Sequence, residues 1–170
     1  MRIAIIVGSK TDLKQCLLGL QLLEKNLENS VTVFVRSQHR NTLSLQQLLR
    51  ELPNSYDIAI VGAGWANHLT GCVDAFLRYE IKTTKMPVVG VAFADCEHPR
   101  HTRAAKLSMT EVPGTQVIYQ DDDGIFVGED GFLRACRWVM LLKNIPVMEI
   151  PDAKPGCNLS LSEAIQIASE

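Results

Sequence analysis

Three short segments of the 170-residue chain hold the residue types from which a sugar-phosphate site is made. They are Gly8-Ser9-Lys10-Thr11-Asp12, Arg36-Ser37-Gln38-His39-Arg40 and Gly62-Ala63-Gly64-Trp65-Ala66-Asn67-His68-Leu69-Thr70-Gly71. A guanidinium such as Arg40 grips phosphate oxygens through paired donors, and Ser37 beside it adds a hydroxyl. Asp12 repels a phosphate and suits a ribose hydroxyl instead. His39 and His68 bring imidazoles, which give and take protons near neutral pH. Each residue also has a plainer use: Gly8 permits a tight turn, Asp12 caps a helix, Arg40 is a solvated charge, and a lone histidine is usually structural. Two histidines in two neighbouring loops weigh toward chemistry.

Two other patterns lead elsewhere and are weaker. Gly62-x-Gly64 opens like a dinucleotide fingerprint, but Asn67 stands where a third glycine is required and the motif follows the third strand, not the first. Asp95-Cys96-Glu97-His98-Pro99-Arg100-His101 offers zinc-ligand types within seven residues. No second cluster completes a tetrahedron, so the segment reads as a mobile polar loop and no metal is expected.

The elements that position the three segments alternate. Arg2 to Val7 is a buried strand, and Asp12 to Leu27 is a helix with leucines at 13, 17, 20, 23 and 27, N-capped by Thr11 or Asp12. Val31 to Val35 is a second strand, Thr42 to Leu52 a helix, Ile58 to Val61 a third strand, and Asn67 to Tyr79 a helix. Pro87 to Val91 opens a fourth strand and Thr115 to Tyr119 makes a fifth. Asp121-Asp122-Asp123-Gly124 signals a turn, in a small hairpin or a loop excursion, and Asp130 caps a helix from Gly131 to Lys143 that buries Leu133, Cys136, Val139 and Met140. Such alternation means βαβ units, a parallel sheet and helices on both faces, in a flavodoxin-like or Rossmann-like order. Ligands of such sheets bind outside the carboxyl ends of the strands. The three segments follow strands one, two and three, so a flavodoxin-like order brings them together.

Residues 1–145 thus read as one domain whose three loops form a pocket. Residues 146–170 form a proline-rich arm (Pro146, Pro151, Pro155) and a last short helix opened by the capping box Ser160-Leu161-Ser162-Glu163. That helix has little of its own to pack on and is expected to dock on a neighbouring subunit.

Composition excludes several classes. Hydrophobic residues are 46% and charged residues 21%, as in a soluble globular domain, and the net charge of −2 gives no basic surplus for nucleic acid. No apolar run reaches the roughly 20 residues that cross a bilayer, and the apolar start is too short for a signal peptide. Five scattered cysteines without a C-x-x-C pair suit free thiols in a reducing cytosol, so the protein is expected to be cytoplasmic.

Gly8-Ser9-x-Thr11-Asp12, Ser37-x-His39-Arg40 and Gly62-Ala63-Gly64-x-Ala66-x-His68-Leu69-x-Gly71 resemble three motifs of the 5-(carboxyamino)imidazole ribonucleotide mutases of purine biosynthesis. Those motifs are G-S-x-S-D, S-A-H-R and A-G-G-A-A-H-L-P-G, and they occur here in family order over about residues 2–120. The resemblance implies a homo-octamer of flavodoxin-like three-layer α/β/α subunits, with sites at subunit contacts and neither metal nor organic cofactor. It implies an isomerase that moves a carboxylate from the exocyclic nitrogen of an aminoimidazole ribonucleotide to a ring carbon. On this reading His39 and His68 are catalytic, with His39 the proton shuttle. Gly8, Ser9, Thr11, Asp12, Ser37 and Arg40 hold ribose and phosphate, and Gly64, Trp65, Ala66, Asn67 and Leu69 enclose the carbon dioxide in transit.

A related carboxylase branch takes free carbon dioxide and carries lysine in place of Arg40 and glycine in place of His68. Both residues here favour the mutase, whereas Asn67 is like that other branch. Trp65, Gln38 and Thr70 depart from the motifs, and residues 94–107 do not match the family's next segment. The alternatives are therefore the carboxylase, or a paralogue of altered specificity or without catalysis in which Trp65 stacks on a different base.

Overall fold

Alternation along the first strand builds both faces of the central sheet at once. In the computed structural model, which describes residues 1–26, 28 and 30–170, β1 (Arg2–Val7) sends Ile3, Ile5 and Val7 into one core and Ala4 and Ile6 into the other. β3 (Ile58–Ala63) and β4 (Val88–Ala92) repeat the pattern, since a strand buried on both sides is apolar at nearly every position. With β2 (Ser30–Val35) the strands run parallel in the order β2-β1-β3-β4. Single parallel bridges from Ile118 to Val89 and from Val127 to Ala92 add a fifth position beside β4. This is the flavodoxin-like order, in a three-layer α/β/α sandwich.

One face carries α1 (Leu17–Glu24) and α5 (Gly128–Leu141); the other carries α2 (Thr42–Ser55), α3 (His68–Ala75) and α4 (Pro99–Thr110). α1 and α5 approach closely because Gly19 has no side chain: a Cβ there would lie 2.5 Å from the Phe132 ring. On the opposite face, Arg78 lies fully buried in the wide turn Phe76–Glu80 that ends α3. It donates to Asp74 Oδ1 at 3.2 Å and to the carbonyls of Met86 at 2.6 Å and Lys85 at 3.1 Å, as well as to that of Thr83. Asp74 in turn accepts the Gln116 amide at 2.7 Å. Burial pulls the Arg78 pKa down and Asp74 opposes it, so this pair ties α3 to the start of β4 at an electrostatic cost that only its full set of partners offsets.

The chain departs from the sequence pattern at several points. Residues Lys10–Cys16 form a 3-10 helix capped by Ser9, not by Thr11 or Asp12, because the Ser9 hydroxyl takes the Thr11 amide. Leu27 of the predicted stripe lies outside the described residues. The fifth strand is reduced to bridges: after Ile118 the chain leaves as the hairpin β5 (Gln120–Asp121) and β6 (Gly124–Ile125), turned by the predicted aspartates with Gly124 at φ +109°. The next helix opens at Gly128, so Asp130 sits inside the first turn and pairs with Arg134 at 3.1 Å. Its buried stripe is Phe132, Ala135, Cys136 and Val139, with Leu133 and Met140 only half-buried. The segment read as a polar loop becomes helical from Pro99, with Ala105 and Met109 one turn apart and buried. Its charged residues hid that spacing.

The arm holds to its own domain through Met148, which donates to the Thr84 carbonyl at 2.8 Å, and Glu149, whose amide reaches Gln116 at 2.8 Å. Every residue from Asp152 onward is exposed, including all of α6 (Leu161–Ala168), which the predicted capping box opens. Among the described residues no helix is long and apolar enough to cross a membrane.

Candidate active site

Adjacency of β2, β1 and β3 sets their three following loops side by side at the carboxyl edge of the sheet. They line a cleft of ≈ 640 Å³ bordered by Gly8, Ser9, Thr11, Asp12, Ser37, His39, Arg40, Gly64, Trp65, Ala66, His68 and Leu69. Twelve of the thirteen expected residues therefore meet in one place. Asn67 is the exception.

The first loop is ordered by its own hydroxyls, with Ser9 Oγ and Thr11 Oγ1 2.8 Å apart. The second is tied to the first: Arg40 Nη2 donates to the Gly8 carbonyl at 3.1 Å, and the Arg40 amide donates to Ser37 Oγ at 3.3 Å. Burial raises the Asp12 pKa, while backbone hydrogen bonding by Ser9 and the Arg40 charge pull it back. Cation, carboxylate and hydroxyls thus share one half of the cleft.

The other half holds the imidazoles. His39 follows β2 and His68 opens α3, yet His68 Nδ1 lies 3.4 Å from His39 Nε2, with the rings edge to face at 70°. One nitrogen of the pair donates and the other accepts, so a proton held between them can be delivered to either ring. Both side chains are exposed to the cleft rather than packed as core histidines.

Asn67 faces the interior instead. Fully buried, it donates from Nδ2 to the Val91 carbonyl at 2.9 Å and accepts the Thr70 amide at 3.2 Å as the cap of α3. The Thr70 hydroxyl stands 2.9 Å from Asn67 Oδ1 and 3.2 Å from the Val61 carbonyl. Two departures from the motif are thus one structural unit, in which Asn67 and Thr70 together fix the start of the helix that presents His68.

Trp65 adopts φ +61°, the left-handed region that disfavours side chains, and keeps 67% of its surface exposed. Its ring stacks on His101 at 4.1 Å and 17°. His101, like Gln38, Ala63 and Ala104, borders the cleft and was not among the expected residues. The signal was Pro99 followed by a helical spacing, which places His101 in the first turn of α4, beside the site. Asp95 holds His101 by Nδ1 at 2.7 Å, and that hydrogen bond, with the amides of His98 and Glu97, keeps the Asp95 carboxyl below the usual carboxylate range.

All five cysteines are free. Burial pushes the Cys16 thiol up to about 12 and the Cys136 thiol up as well, so both are inert packing groups.

The family profile described as AIR carboxylase matches residues 2–118. No curated protein sequence matches the chain. Among solved structures, PurE of Treponema denticola aligns with TM-score 0.53 at 14% identity, over 82% of this chain and 89% of that one. A serine-to-aspartate variant of PurE2 from the same organism aligns with TM-score 0.53 at 14% identity, over 82% and 88% of the two chains. The structural likeness carries the flavodoxin-like fold, and the profile spans all three loops of the cleft. The chain belongs to the AIR carboxylase family, enzymes that handle a carboxylate in purine biosynthesis.

Proposed function

We propose that the protein is a mutase that moves a carboxylate from the exocyclic nitrogen of a carboxyaminoimidazole ribonucleotide to a ring carbon. The observation that carries this reading is the His39–His68 contact of 3.4 Å, set in the same cleft as Arg40, Ser37, Ser9 and Asp12. Arg40 and Ser37 hold the phosphate, and Asp12 accepts from a ribose hydroxyl while Ser9 and Thr11 complete the anchor. The carboxylate leaves nitrogen as carbon dioxide, which the Gly64–Leu69 loop keeps beside the ring. The ring carbon attacks it and then loses its proton, and the nitrogen regains one. His39 moves that proton, and His68 beside it relays the charge.

Arg40 and His68 favour the mutase over a carboxylase using free carbon dioxide, since that branch lacks both. Incubation with carboxyaminoimidazole ribonucleotide, followed by ultraviolet absorbance, tests the reading; a rate no higher than the spontaneous one overturns it. A second reading rests on Trp65: an exposed indole over the cleft fits a different aromatic base. Calorimetry against a nucleotide panel separates the two, since this reading requires binding without conversion of the carboxyaminoimidazole ribonucleotide.

The detached helix belongs to the same proposal. Leu161, Ile165 and Ile167 are 78%, 59% and 57% exposed, a solvated apolar surface that a neighbouring copy would cover in a homo-octamer.

A further inference from the structure

A second cluster of polar side chains stands at the start of α4, where only His101 borders the cleft. Asp95, His98 and His101 bring one ligand atom each to within 4.8 Å of one another. The Asp95 carboxylate stands 2.7 Å from His101 Nδ1 and 3.7 Å from His98 Nδ1. A tetrahedral ion with bonds of about 2.0–2.1 Å needs neighbouring ligands roughly 3.3–3.4 Å apart, so the spacing brackets that of a bound ion. The carboxylate is already oriented, because its Oδ1 accepts the amides of Glu97 and His98 at 3.0 Å each.

Anchoring of the turn engages only two of the three side chains. Asp95 and His101 have a reason to pair, since together they anchor the turn into α4. His98 does not share it. Its side chain is half exposed, and its ring nitrogens find no hydrogen-bond partner within range among the described residues, yet its Nδ1 faces Asp95 and its ring stacks on His101 at 5.0 Å. We propose that Asp95, His98 and His101 form a binding site for a divalent transition ion of the zinc class. Two imidazoles and one carboxylate suit zinc, cobalt or nickel better than magnesium or calcium, which prefer all-oxygen sets.

Binding requires the Nδ1 lone pairs of both imidazoles. The His101 proton shared with Asp95 therefore leaves or moves to Nε2, and the ion replaces that hydrogen bond. Three protein ligands leave a coordination position for water or another oxygen donor. The site meets the cleft through His101 and its stacked neighbour Trp65. It does not rest on the proposed carboxylate transfer, in which the ion has no step.

The test is zinc chloride titrated by calorimetry into the chelator-stripped full-length protein, with tryptophan fluorescence read in parallel. The expected result is one saturable site with a Kd of roughly 10 µM or tighter. His98→Ala, a half-exposed position whose loss spares the fold, should weaken it by at least about 30-fold. Trp65→Phe should keep the affinity but lose most of the fluorescence change, which places the ion at His101. Cys96→Ser with Cys157→Ser should leave the affinity unchanged. Absence of saturable binding, equal binding by His98→Ala, or loss of binding with the two exposed cysteines overturns the proposal. The ribonucleotide assay is independent of all these readouts, so the two proposals fail separately.

Discussion

His68 Nδ1 and His39 Nε2 stand 3.4 Å apart although 29 residues separate them in the chain. The contact lets one ring orient the other, the arrangement on which the proposed proton transfer rests. His39→Asn is expected to lower kcat by about 10²- to 10⁴-fold while leaving ribonucleotide binding within a few-fold of wild type. Arg40→Ala should do the reverse, raising KM by roughly 10- to 100-fold through loss of a charged grip on the phosphate. Steady-state kinetics with calorimetric affinities separates the two; a fully active His39→Asn would remove the proton-shuttle role.

Trp65 is held in a conformation that costs roughly 1–2 kcal/mol, offset in part by its stack on His101, worth about 0.5–1.5 kcal/mol. Trp65→Gly loses both terms together. Its unfolding free energy should shift by no more than about 1 kcal/mol. Ribonucleotide affinity should fall by about tenfold as an aromatic face is lost from the cleft. Urea denaturation beside a binding isotherm checks the split, and unchanged affinity would place the indole outside the ligand's reach.

Asp74→Ala strands the buried Arg78 guanidinium, and breaking such a pair costs about 3–5 kcal/mol. Asp74→Asn keeps the carbonyl acceptor for Arg78 and should cost less. The urea midpoints of the two variants measure the difference. A loss below about 1 kcal/mol in Asp74→Ala would mean that the carbonyls of Thr83, Lys85 and Met86 suffice alone.

Deletion of residues 151–170 removes the exposed helix but spares the Met148 and Glu149 contacts. The truncated chain is expected to keep the wild-type far-ultraviolet dichroism of its sheet and to fall to a smaller assembly by light scattering. An unchanged number of subunits per particle would overturn the proposed docking of the helix on a neighbouring copy.

The strand-and-helix alternation, the three loops and twelve of the fourteen residues that they bring to the cleft were legible in the chain, because buried parallel strands are apolar throughout and loop chemistry is written in local motifs. The inward turn of Asn67 was not legible for a physical reason: a side chain in a ligand loop can equally turn inward and cap, and only the position of the Val91 carbonyl decides which. Residues 94–107 hid a helix since their buried positions are few, and His101 reached the cleft only through the path of α4. Local periodicity and turn chemistry determine which segments become strands, helices and loops. The meeting of His39 with His68, and of Trp65 with His101 and Asp95, depends on the order in which strands pair, a choice made by core packing between residues distant in sequence.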